Sequence, residues 1–116
     1  MLFIEYPKCS TCQKAKKFLI NHGADFDDRH IVENTPTAAE LKQWIERSGL
    51  SIKRFFNTSG NVYKEMNLKE KVDLLTIDEA CELLSQNGML IKRPLLITED
   101  TVLVGFKESE YEGIIK

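Results

Sequence analysis

The sequence predicts an α/β fold in which a β-α-β half and a β-β-α half share one mixed four-stranded sheet, with helices inserted between the halves. Three patterns predict it. Short apolar runs near both ends of the chain read as strands, amphipathic helical spacing fills the middle, and Gly, Pro and Asn residues punctuate the junctions. The sheet-forming core is expected at residues 1–34 and 89–116 and the insert at 35–88, all within a single domain of 116 residues.

The elements follow in chain order. Leu2-Phe3-Ile4 is an apolar run that stops at Tyr6-Pro7 and reads as a buried strand. After the turn Pro7 to Cys12, the residues Cys12, Ala15, Phe18 and Leu19 share one helical face. Asn21-His22-Gly23 closes that helix, with glycine at the cap. Residues 25–32 alternate weakly and are charged enough for a strand near an edge. Thr37 with Glu40 has the capping-box form, and Leu41, Trp44 and Ile45 give the next helix its apolar stripe up to Ser48-Gly49. Residues 51–56 read as a short helical turn. A helical pair is expected over 67–75 and 78–84, ending at Asn87-Gly88. Beyond it, residues 93–97 and 101–106 form a hairpin about Glu99-Asp100, and 108–115 a terminal helix.

Composition narrows the function. Hydrophobic residues are 42% and charged residues 29%, the balance of a globular domain. The formal net charge is -2, which argues against nucleic-acid binding by bulk electrostatics. No apolar run approaches the roughly 20 residues of a membrane span. The N-terminal residues lack the basic and long apolar regions of a secretory signal, so a cytoplasmic protein is expected. The three cysteines, Cys9, Cys12 and Cys81, make a poor disulfide scaffold, and a close pair in a reducing compartment points to redox or metal chemistry.

Cys9-Ser10-Thr11-Cys12 stands where a strand ends and a helix begins. Unpaired N–H groups of the first helical turn and the helix dipole favour a thiolate at Cys9, the nucleophilic form, and Lys8 adds positive potential beside it. Cys12 is placed to resolve a mixed disulfide by attacking Cys9. Two other readings stand beside this one: an inert buried pair, and half of a zinc site. Zinc needs four ligands, and only Cys81, His22 and His30 remain to supply the others, so no metal is expected. Arg93-Pro94 is the second feature. Proline tolerates a cis bond and cannot donate to a sheet, so its presence at a strand entrance would aim Arg93 at the thiol. The competing reading is a solvated arginine before an edge strand. Cys81 and Trp44 lie on apolar stripes and read as core, His22 as a cap, and Lys14, Lys16 and Lys17 as a solvated helix face. No phosphate-binding glycine loop or cofactor motif is present.

Cys9-Ser10-Thr11-Cys12, Arg93-Pro94 and Val104-Gly105-Phe106 resemble the arsenate reductase (ArsC) family, in its branch with the Spx and MgsR regulators. The resemblance runs over essentially the whole chain. It implies a thioredoxin-like, or glutaredoxin-like, fold interrupted by helices, with Cys9 as nucleophile, Pro94 cis and Arg93 facing the thiol. It further implies that Lys8, Ser10, Thr11 and Pro94 shape the substrate site. Glutathione, glutaredoxin or thioredoxin would be the thiol donor, with no bound cofactor. The chain departs from the family's arsenate reductases, which set three arginines around the oxyanion. Only Arg93 is present; the other two positions fall near Asn57 and at Gly105. Each lost charge-assisted hydrogen bond is worth roughly 1.5–3 kcal/mol, so efficient arsenate reduction is not expected. A thiol–disulfide oxidoreductase is the first expectation. The alternatives are a redox-sensing regulator that binds the RNA polymerase α C-terminal domain, and an arsenate reductase. Gly49 lies near a glycine used in the polymerase contact, but reads first as a helix cap. Nothing in the sequence demands more than a monomer.

Overall fold

The computed structural model describes residues 1–115. Four strands, β1 (Leu2–Glu5), β2 (Asp27–His30), β3 (Leu95–Ile97) and β4 (Val102–Val104), form one sheet in the order β2-β1-β3-β4. β1 and β2 run parallel, joined by helix α1 (Ser10–Asn21); β3 pairs antiparallel with both β1 and β4. The expected mixed four-stranded sheet is therefore present. The charged β2 is an edge strand, as its composition suggested.

Alternation across the sheet decides what packs where. Phe3 and Leu96 are paired in register and face α1 and α5 (Glu108–Ile115), with Ala15, Phe18, Leu19 and Tyr111. Ile4 and Leu95 face the other way, into a cluster built by the insert. That insert holds α2 (Ala38–Ser48), α3 (Asn61–Glu65) and α4 (Ile77–Gln86). Leu41, Trp44 and Ile45 of α2 and Ala80, Cys81 and Leu84 of α4 are buried there. So the helices between the two halves cover the sheet's second face, and Trp44 and Cys81 are core.

The helix ends are set by local chemistry. Thr37 and Glu40 form the expected capping box, and Thr76 and Glu79 form a second one at α4; each such cap is worth about 1 kcal/mol. Gly49 ends α2 with φ of 69°, the left-handed backbone that favours glycine. At the end of α1, His22 Nδ1 lies 2.8 Å from the Phe18 carbonyl oxygen. Arg29 on β2 makes two 2.9 Å hydrogen bonds to the Glu40 carboxylate, tying the edge strand to α2.

The structure differs from the sequence reading in several places. Residues 67–75 are not a helix but two 3-10 turns, Leu68–Glu70 and Val72–Leu74. Leu68 and Val72 carry helical spacing because both reach the core, yet Asn67 at φ of 55° and the break at Lys71 interrupt the backbone. The helix that does form nearby, α3, is only five residues long and follows a polar turn, so it left no readable periodicity. Residues 25–32 contribute a shorter strand than expected, Asp27–His30, and the hairpin strands are also trimmed to three residues each. Lys16 is not merely solvated: its Nζ lies 3.2 Å from Glu5 and 2.6 Å from Asp28. No helix among the described residues is long and apolar enough to cross a membrane.

Candidate active site

The Cys9-to-Cys12 segment begins where β1 has ended and α1 opens. Cys9 is the N-cap of α1 in extended backbone conformation. Its N–H donates to the Tyr6 carbonyl at 2.9 Å, and Gln13 Nε2 donates to the Pro7 carbonyl at 2.9 Å, so the turn is braced from both sides. This fixes the Cys9 sulfur over the unpaired N–H groups of the first helical turn.

The two thiols then differ sharply. Cys9 is half-buried, whereas Cys12 is fully buried, one turn in on the apolar face with Ala15 and Leu19. Partial burial pushes the Cys9 thiol up. The N–H groups of Cys12 and Thr11, the Cys12 thiol and the Arg93 charge outweigh it and hold Cys9 below the usual cysteine value. Burial pushes Cys12 up to about 12, reinforced by the hydrogen bond and charge it shares with Cys9. Cys12 is therefore enclosed on the helical face it shares with Ala15, Phe18 and Leu19. It nonetheless stands three residues from Cys9 at the start of the same helix, and each thiol shifts the other's acidity. Cys81 is buried in the insert cluster, and among the described residues no group of three or more His, Cys, Asp or Glu side chains converges as metal ligands would.

Cys9 opens onto a groove of about 550 Å³, lined by Thr11, Asn57, Ser59, Asn61, Met89, Lys92 and Arg93 among others. The Arg93–Pro94 peptide bond is cis. Arg93 is held by a 3.3 Å hydrogen bond from Nη1 to the Met89 carbonyl and by the Tyr6 ring, whose centroid is 5.3 Å from its Cζ. Its Nε is buried without a hydrogen-bond partner, and the residue lines the same groove as Cys9. Arg93 is thus turned to Cys9 and is not a free surface arginine. Thr11 lines the groove, while Lys8 in the turn and Ser10 at the start of α1 are exposed and, like Pro94, are outside its lining. The Pro94 carbonyl accepts the Gly105 N–H at 2.9 Å, joining the strand entrance to the end of β4.

Several site residues carried no readable signal. Tyr6 supplies both the carbonyl that holds Cys9 and the ring that holds Arg93, and Met89 acts through its backbone oxygen. Neither role follows from residue type. Lys92 was legible only as the neighbour of Arg93. Asn57 does face the groove, bringing an amide where the resemblance expects an arginine, and Gly105 sits at φ of 78° with the Lys92 stem across it.

The ArsC family model matches residues 4–114, nearly the full length. The chain belongs to the ArsC family. Among curated relatives, the Bacillus subtilis protein YusI is 53% identical over 97% of this chain and 95% of its own. The regulatory protein MgsR of the same organism is 31% identical over 95% of this chain and 86% of its own. Among solved structures, an ArsC family related protein from Bacteroides fragilis superposes with a TM-score of 0.94 at 55% identity, covering 99% of this chain and 96% of that one. The fold is the thioredoxin-like fold of that family, with the helical insert the sequence predicted.

Proposed function

We propose that this ArsC-family chain is a thiol–disulfide oxidoreductase that works through Cys9 and Cys12. The observation that carries the reading is the asymmetry of the pair: one accessible sulfur favoured as thiolate at a helix N-terminus beside Arg93, and one buried thiol within reach of it. In the proposed reaction the Cys9 thiolate attacks one sulfur of a substrate disulfide. The S–S bond breaks, one substrate thiolate leaves, and Cys9 holds the other in a mixed disulfide. Cys12 then gives its proton to the substrate thiolate released in the first step and attacks the Cys9 sulfur, expelling the second thiolate. The substrate gains two electrons, the protein is left with a Cys9–Cys12 disulfide, and an external thiol donor such as glutathione, glutaredoxin or thioredoxin restores it. Arg93 steadies the thiolate at Cys9; Thr11 and the Cys9-Ser10 turn, with Lys8 before it and Pro94 opposite, present the sulfur.

Mass spectrometry after mixing the reduced protein with a small disulfide tests this. Wild type is expected to end as the Cys9–Cys12 disulfide, and Cys12→Ser to accumulate a mixed disulfide on Cys9. A mixed disulfide on Cys12, or no adduct at all, would overturn the assignment.

Two further roles are compatible with the family. Arsenate reduction is disfavoured because Asn57 and Gly105 stand where oxyanion-binding arginines are expected, so rapid arsenate turnover with glutathione and glutaredoxin is not anticipated. The similarity to MgsR favours a regulatory role, in which oxidation of the same pair would change binding to the RNA polymerase α C-terminal domain. Gly49, the residue near the expected contact, is accounted for here as the α2 cap. Co-purification with that α domain, dependent on the redox state of Cys9, is the outcome that would favour the regulator.

A further inference from the structure

The charges on this chain are segregated in a way the net charge hides. Asp and Glu outnumber Lys and Arg by 18 to 16 overall. Yet the Cys9 groove is lined by Lys92 and Arg93 and by no acid. Lys92 also lines the adjoining hollow, with Lys53, Arg54, Phe56 and Thr58. Lys53 and Thr58 in turn border a third hollow, with Tyr63, Lys64, Asn67 and Lys69. The three depressions share residues end to end, so they form one strip from the nucleophile across the insert. Among the described residues, no Asp or Glu lines any of them. At a separate cleft Asp25, Glu99 and Asp100 contribute to the lining and, among the described residues, no Lys or Arg does.

Apart from Arg93, which the Met89 carbonyl and the Tyr6 ring hold, these cations make no side-chain hydrogen bond or ion pair among the described residues. Among the described residues, the ion pairs involve Lys16, Arg29, His30 and Lys42, and none of the strip's lysines or arginines. Lys53, Arg54, Lys64 and Lys69 are exposed. Tyr63, buried under the far end, has a hydroxyl with no hydrogen-bond partner.

We infer that the strip is the docking surface for an acidic protein segment whose cysteine is delivered to Cys9. This rests on the thiol-exchange reading above and adds to it the chemistry of the partner. A chain of net charge -2 gains nothing from a general attraction to polyanions, but a local basic track steers an acidic partner and fixes its approach. A protein is favoured over a nucleic acid because the track ends on a nucleophilic sulfur, which needs a partner sulfur to react with. The exchange is the one already balanced: the partner's disulfide is reduced by two electrons and the Cys9–Cys12 disulfide forms, regenerated by the thiol donor.

The test uses the reduced full chain and disulfide-linked dimers of short peptides, each with one central cysteine flanked by glutamate, serine or lysine. Each rate is divided by that of the same peptide with 2-mercaptoethanol, which removes intrinsic reactivity. The glutamate peptide is expected to react roughly tenfold or more faster than the serine peptide at low salt, and the lysine peptide slowest. The preference shrinks as salt is raised. Lys53→Gln with Lys64→Gln should bring the glutamate-to-serine ratio close to one, with the serine peptide as the internal reference for a folded protein. Equal corrected rates for all three peptides, or a preference that survives both substitutions, would overturn the docking surface while leaving the Cys9 chemistry standing. Failure to react with any peptide would instead sink the thiol-exchange reading. Inhibition by a single-stranded oligonucleotide as strong as that by a cysteine-free glutamate peptide would reassign the strip to nucleic acid.

Discussion

Among the described residues Glu5 is the one carboxylate in the core, and replacing it with glutamine has a calculable effect. It ends β1, directly before the Cys9 turn, and is 3% exposed. Burial and the hydrogen bond with Asp28 push its carboxyl from the ordinary 4.5 up to about 7, against the pull of Lys16 at 3.2 Å. The folded protein thus holds a proton that the unfolded chain releases from about pH 4.5. The associated stability is fully present below that pH and is lost as pH rises through 7. With one pKa unit worth about 1.36 kcal/mol, wild type should lose about 2.5 kcal/mol between about pH 5 and pH 8 from this group alone. Asp28 is shifted the other way and stays ionised across that range, so it adds nothing to the slope. Glu5→Gln keeps a neutral donor toward Asp28, and Lys16 keeps Asp28 at 2.6 Å. Urea unfolding of both proteins should show the variant gaining on wild type by about 2.5 kcal/mol from about pH 5 to pH 8. Parallel stability profiles would refute the buried, proton-holding carboxyl.

Other expectations concern the site and its frame. Arg93→Gln removes the charge that favours the Cys9 thiolate, so alkylation of Cys9 by iodoacetamide at neutral pH should slow roughly threefold to tenfold; an unchanged rate would detach Arg93 from the sulfur. Glu40→Gln breaks the two-pronged bond to Arg29 and should cost about 1 kcal/mol at neutral pH, since the carboxylate is 37% exposed. The Arg29 guanidinium holds Glu40 down to about 2, so its contribution is present above pH 4.5 and fades as pH falls through 2. Urea titrations at neutral and acid pH check both the cost and its disappearance.

Much of this was legible because local and global signals agree. The apolar run at Leu2 to Ile4, the Cys12-Ala15-Phe18-Leu19 face and the Thr37–Glu40 capping box each point to the element that forms there. The end of the apolar run and the start of the helical spacing place Cys9 and Cys12 at the strand-to-helix junction that forms. What failed to show was decided at a distance. Leu68 and Val72 are four apart because both reach one cluster, not because a helix joins them. Lys16 reads as solvated from helix spacing alone, since its partners Glu5 and Asp28 lie on two strands. The supports of Arg93 are a backbone carbonyl and a ring face, and the basic strip brings residues 53–58 beside residue 92 through the insert's packing.

The division of labour between the two sulfurs is tested most directly by following the pH dependence of alkylation at each cysteine by mass spectrometry. Cys9 should be modified with a midpoint below the ordinary thiol value of 9.0, and Cys12 should stay protected until the pH nears 12. Matching profiles for the two residues, or earlier modification of Cys12, would contradict the account.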